Sequence, residues 1–99
     1  MGFFADLLRR LRGAPEPILD PGERVRIALA RLKPTDRRDA EAVRQEAIED
    51  LGSERAADEW LSHKVPFLGH VRPIDLVRNR KGRGAVRDVL YRMRYGIYS

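Results

Sequence analysis

The sequence predicts an all-α fold: a compact bundle of four to five short helices with an N-terminal amphipathic helical arm. Three observations lead there. Apolar residues recur at helical spacing in five segments, no stretch alternates with period two for long enough to make a strand, and capping or breaking residues bound the segments. The chain has 99 residues, 42% of them hydrophobic, which suits one compact domain with a small core. A domain of that size leaves apolar surface uncovered, so a partner or a second copy is expected to help.

The first segment covers about residues 3–12. Phe3, Phe4, Leu7, Leu8 and Leu11 share one face, and Arg9, Arg10 and Arg12 occupy the rest. Gly13, Pro15 and Pro17 end it and form a semi-rigid linker. Phe3, Phe4, Leu7 and Leu8 are the candidate surface for dimerisation or for gripping a partner. So short a helix is expected to dock on protein in preference to a membrane surface.

The second segment, 21–32, starts with Asp20 as N-cap, Pro21 at the first helical position and Glu23 placed for a capping box. Val25, Ala28, Leu29 and Leu32 make its stripe, and Pro34 is expected to stop it. Thr35 is expected to cap the third helix, with Asp36 and Asp39 near its positive end. Ala40, Val43, Ala47, Ile48 and Leu51 line its inner face and Gly52 closes it. Ser53 then caps a fourth helix carrying Ala56, Ala57, Trp60 and Leu61, with Trp60 assigned to the core.

Residues 63–72 read as a loop marked by Pro66 and Gly69, with Phe67 and Leu68 as inward plugs. Pro73 starts a short turn of helix through Asp75, Leu76 and Val77. Residues 79–84 read as a basic, glycine-containing turn. The last helix is expected over 85–95, with Val86, Val89, Leu90, Met93 and then Ile97 toward the core. Arg83, Arg87, Tyr91, Arg94 and Tyr95 lie off that stripe, and Gly96 ends it.

Composition excludes several functions. There is no cysteine, so disulfides and thiolate metal sites are excluded and a cytoplasmic location fits. His63 and His70 cannot fill a zinc shell, and no metal or cofactor is expected. No stretch is long enough to span a bilayer, and the N-terminus carries neither signal-peptide nor myristoylation features. No phosphate-binding glycine loop, serine elbow or metal-binding helix motif is present. Asp36, Asp39, Glu46, Glu49 and Asp50 read as helix-face and cap charges. The chain is not expected to be an enzyme.

The net charge is +5, but residues 35–69 hold five basic and nine acidic side chains, whereas residues 70–99 hold eight and two. A basic end suggests an anionic partner: nucleic acid, or a protein cleft built for an anionic ligand. Arg78, Arg80, Lys81 and Arg83 are the candidate phosphate contacts, and a solvated turn is the alternative. No aromatic residues interleave them, which weakens a reading as an RNA or single-strand binder.

The second half carries a recognisable pattern. Ala57 with Trp60-Leu61 is followed by Pro66 with Leu68-Gly69, then Arg72-Pro73-Ile74-Asp75-Leu76, then Gly82 with Val86 and Leu90, and finally Arg94-Tyr95-Gly96-Ile97-Tyr98-Ser99. In that order and spacing, residues 57–99 resemble the toxin-binding domain of the Xre/MbcA/ParS antitoxin family, with a weaker likeness from Val43. Two departures stand out. His70 occupies a place where relatives usually carry a second glycine, and residues 1–34 hold an arm and short helices but no complete helix-turn-helix. The resemblance implies that residues 35–99 form a toxin-binding domain. It further implies a RES-domain toxin partner that degrades NAD or transfers ADP-ribose from it. A homo-oligomer, or a hetero-oligomer with the toxin, is expected. The antitoxin's C-terminal end would cover the toxin's active-site cleft. On that reading the contact residues are Tyr91, Arg92, Arg94, Tyr95, Gly96, Ile97, Tyr98 and Ser99, with Arg72 beside them. Tyrosine offers contact area with a polar tip, and arginine can grip a carboxylate with two hydrogen bonds. A small basic nucleic-acid-binding regulator is the alternative.

Overall fold

The computed structural model describes residues 19–96, and these form a helical globule. The expected arm helix, with Phe3, Phe4, Leu7 and Leu8, lies outside the described residues. Five helices occur in order: α1 Pro21–Ala30, α2 Pro34–Leu51, α3 Glu54–Ser62, α4 Pro73–Leu76 and α5 Arg80–Arg94, with a 3-10 turn at Pro66–Leu68. Among the described residues there is no strand, only an isolated antiparallel bridge between Val65 and Val71.

Asp20 caps α1 by accepting a hydrogen bond from the Gly22 amide at 3.0 Å, with Pro21 at the first helical position. The helix ends at Ala30, two residues earlier than expected. Its closing carbonyls are taken over from outside: Arg37 of α2 donates to the Leu29, Ala30 and Leu32 carbonyls at 3.2, 3.3 and 2.9 Å. A guanidinium there satisfies orphan acceptors and complements the negative helix end. Pro34 does not stop α1; it opens α2. Lys33 is the N-cap and Thr35 sits within the first turn, because a proline at the first position loses no hydrogen bond and presets the helical φ.

The turn from α2 to α3 matches the sequence reading. Gly52 adopts the left-handed conformation (φ +95°) and donates to the Ile48 carbonyl, and Ser53 Oγ accepts from the Ala56 amide. Small residues then let the helices approach closely: Ala40, Ala47 and Ala57 are fully buried beside Val25, Val43 and Leu61. The α2–α3 corner is locked by Arg44, which grips both carboxylate oxygens of Asp58 at 2.8 and 3.0 Å. That hydrogen bond holds the Arg44 guanidinium above its ordinary pKa, with partial burial opposing it. Trp60 packs partly buried against the core, as expected.

Phe67 does not plug the core. It is 59% exposed, while Leu68 packs against the core. In a 3-10 turn successive side chains diverge by about a third of a revolution, so adjacent residues cannot both face inward.

The other correction concerns residues 79–84, which form the first turns of α5 and not a loop. Asn79 caps the helix by accepting from the Gly82 amide at 2.8 Å. Gly82 is the reason the helix can start there: a Cβ on it would stand 1.7 Å from the Leu76 carbonyl oxygen. Gly84, two residues on, has nothing within 4 Å of such a position. We therefore expect substitutions at these two glycines to act in opposite directions. Gly82→Ala should cost about 3 kcal/mol, because backbone must move to admit the methyl. Gly84→Ala should add about 0.5–1 kcal/mol through helix propensity. Urea unfolding of both variants checks the pair.

Candidate functional site

The phase of α5 divides its residues. Val86, Val89 and Leu90 are buried and Met93 packs partly buried against the core. Tyr91 and Tyr95, four residues apart, fall on the outer face, 55% and 60% exposed, with ring centroids 4.7 Å apart and tilted by 47°. An exposed pair of tyrosines one turn apart is a ready contact platform, since each brings a large flat area and few rotatable bonds.

The arginines beside this platform are already engaged. Arg92 Nε donates to Asp88 Oδ2 at 3.1 Å, one turn back. Arg94 directs Nε and Nη2 to a single oxygen, Oδ1 of Asp50 on α2, at 2.9 and 2.6 Å. That hydrogen bond and the charge of Asp50 hold the Arg94 guanidinium above its ordinary pKa, and the Tyr95 hydroxyl adds a smaller push in the same direction. The side chains of Asp50, Arg94, Tyr95 and Tyr91 thus form one connected group. Asp50 Oδ2 is buried with no hydrogen-bond partner. A partner's carboxylate can draw Arg92 from Asp88 at modest cost because that pair is exposed, but taking Arg94 from Asp50 leaves a nearly buried carboxylate without its cation.

The helix ends beside the platform. The Tyr95 amide donates to the Tyr91 carbonyl, and Gly96 takes φ +68°. A left-handed glycine turns the chain off the helix axis. Ile97, Tyr98 and Ser99, expected to complete the contact, lie outside the described residues.

Arg72 stands at the junction of α3 and α4. Its Nε donates to the Ser62 carbonyl at 2.9 Å, closing the C-terminal end of α3 just before Pro73 starts α4. It lines a cleft of about 550 Å³ with Leu19, Arg24, Ser62, His63 and Lys64.

The four basic residues expected to contact phosphate separate. Arg78, Arg80 and Lys81 are exposed around the start of α5. Arg83 is not: it is 6% exposed, one helical turn before Val86 and two before Leu90, and it turns inward. Its Nη1 donates to the Val77 carbonyl at 3.1 Å and to Asp36 at 3.3 Å, and Asp39 lies 3.6 Å away. Arg83 is a structural clamp between α5, the end of α4 and the start of α2, its guanidinium engaged within the fold.

Asp50 is the residue that sequence reasoning misplaces among helix-face charges. The available signal is its position three residues after Ala47 on the inner stripe of α2. No three His, Cys, Asp or Glu side chains among the described residues converge as a metal site. A cleft of about 640 Å³ between α1 and α2 is lined in part by Asp58, both of whose oxygens Arg44 occupies. No helix among the described residues is long and apolar enough to cross a membrane.

A family model described as the antitoxin Xre/MbcA/ParS C-terminal toxin-binding domain matches residues 47–96, from the last turns of α2 through the left-handed glycine after α5. Comparison with curated proteins and with solved structures gave no match.

The clamp is testable by stability alone. Arg83→Met should cost about 2 kcal/mol, because it leaves the Val77 carbonyl without its donor and two carboxylates without their cation. Arg80→Ala and Lys81→Ala should stay within about 0.5 kcal/mol of wild type. Urea midpoints of the three variants decide it.

Proposed function

The chain belongs to the Xre/MbcA/ParS antitoxin family and binds a toxin through this non-enzymatic domain, and from that premise we propose that the toxin is a RES-domain enzyme that degrades NAD or transfers ADP-ribose from it. The chain neutralises that enzyme by laying its C-terminal segment over the NAD cleft. The observation that carries this reading is the exposed Tyr91–Tyr95 pair at the end of α5, followed at once by the left-handed Gly96. Aromatic rings suit a cleft built for a flat base, and the turn at Gly96 lets the last residues leave the helix toward it. Residues 35–99 are the toxin-binding unit on this reading, with Tyr91, Arg92, Arg94 and residues 95–99 in contact. Arg94, held by the nearly buried Asp50, meets the partner in that paired position.

A second reading keeps one supporting observation. Arg78, Arg80 and Lys81 remain exposed at the start of α5, whose first turn contains no acidic residue. Three such cations could contact nucleic-acid phosphates. That reading predicts a slope of about −3 for log affinity against log salt on promoter DNA. Absence of any retardation at low salt contradicts it.

The main reading predicts that deleting residues 95–99 leaves a folded protein that no longer rescues cells expressing the toxin. The dissociation constant should rise at least about a hundredfold, since hot-spot aromatics are each worth about 2 kcal/mol or more. Far-UV circular dichroism checks folding. Rescue equal to full length by the folded truncated chain would contradict occlusion by the C-terminal segment.

A further inference from the structure

The 3-10 turn and its flanks present an aromatic ring outward on an unusually constrained loop. Phe67 is 59% exposed, in a chain whose other large exposed aromatics among the described residues are Tyr91 and Tyr95. The loop is closed by the Val65 amide donating to the Val71 carbonyl at 3.1 Å. Inside it, the Leu68 and His70 amides both donate to the Val65 carbonyl, at 2.9 and 3.0 Å, and the Gly69 amide donates to the Pro66 carbonyl at 3.0 Å. Pro66 fixes one further dihedral. Leu68 anchors the loop by packing against the core.

Two consecutive residues in this loop are left-handed: Gly69 at φ +78° and His70 at φ +60°. Glycine takes that conformation freely, but histidine does so at a cost, and His70 is the one non-glycine residue with positive φ among those described. Backbone held in a disfavoured region concentrates where a particular geometry is used. Here the geometry serves to hold residue 67 outward at the end of a short, cross-bonded hairpin.

We propose that this loop is a second toxin contact, with the Phe67 ring seated in an apolar pocket of the toxin. The proposal rests on the reading that the partner is a RES-domain toxin. Continuity argues for that occupant: the 3-10 turn packs against α5, the helix whose outer face carries Tyr91 and Tyr95, and all three aromatics lie within the matched toxin-binding domain. The energetics fit as well. A large apolar side chain on a preorganised loop loses little entropy on docking, and such aromatics are the residues that dominate interface affinity.

The test measures affinity of the full chain for its RES-domain toxin, by titration calorimetry. Phe67→Ala is expected to weaken binding at least about tenfold while the melting temperature moves by no more than about 3 °C, since the ring is more than half exposed. His70→Gly should retain wild-type affinity, because glycine keeps the left-handed turn. His70→Val, which leaves Phe67 in place but resists positive φ, should weaken binding by a similar factor. Affinity of Phe67→Ala within about twofold of wild type overturns the proposal. So does conversion of a dimer to a monomer by Phe67→Ala with toxin affinity unchanged, which would make a second copy of the chain the occupant. If the unmodified chain fails to bind the toxin at all, the toxin assignment fails and not the role of the loop.

Discussion

The contact of Gly82 with the Leu76 carbonyl sets the position of everything downstream of it. A side chain at residue 82 would collide with backbone, so only glycine lets the first turn of α5 rest directly on the end of α4. Asn79 starts the helix at that point by capping the same residue's amide. Start and seat together fix the rotation of α5 about its axis. Once they are fixed, Val86 and Leu90 must face inward, and Tyr91 and Tyr95 must face out. The tyrosine platform is therefore a consequence of helix phase, set well before the residues that form it.

The same phase explains the uneven charge of the sequence. Its acidic middle and basic end are largely matched to one another in the fold. Arg83 meets Asp36 and Asp39, Arg87 meets Glu46, and Arg94 meets Asp50, so α2 and α5 are joined by ion pairs at three levels. Residue numbers rise together along both helices, so the two run in the same general direction. The inner pair is buried on the arginine side and structural. Of the outer two, Arg87–Glu46 is partly exposed on both sides and weak, whereas Arg94 covers an Asp50 side chain that is only 9% exposed. Of the described basic residues in the last third, Arg78, Arg80 and Lys81 are exposed around the start of α5. A positive end that by composition suggests nucleic acid is in large part the counter-charge of the protein's own second helix.

Helical periodicity and capping residues are enough to read the bundle from the sequence, because each apolar stripe repeats over two or more turns. Asp20, Ser53 and Gly52 act as their types suggest. What is not legible depends on contacts distant in sequence. Residues 79–84 carry two glycines and four charged or polar side chains, a composition that favours a turn; burial of Gly82 against Leu76 overrides that preference. Arg83 looks solvated until Val77, Asp36 and Asp39 are brought to it. The Asp50–Arg94 contact spans 44 positions, and no local pattern predicts it. Phe67 escapes a sequence reading because apolar residues in a loop are ordinarily plugs, whereas the 3-10 geometry lets only Leu68 turn inward. The family resemblance from Ala57 onward is legible because it rests on the order of several short motifs, and the matched region, residues 47–96, encloses most of it.

Hydrogen-exchange mass spectrometry of the full chain, free and bound to its toxin, tests most directly whether the toxin is met by the end of α5 and the residues beyond it, because it maps contact without altering a residue. Protection on binding is expected to concentrate in residues 91–99, with a second protected stretch at 65–71 and no change along α1. Protection confined to α1 and α2, with the last turn of α5 exchanging as fast in the complex as in the free chain, would contradict that placement.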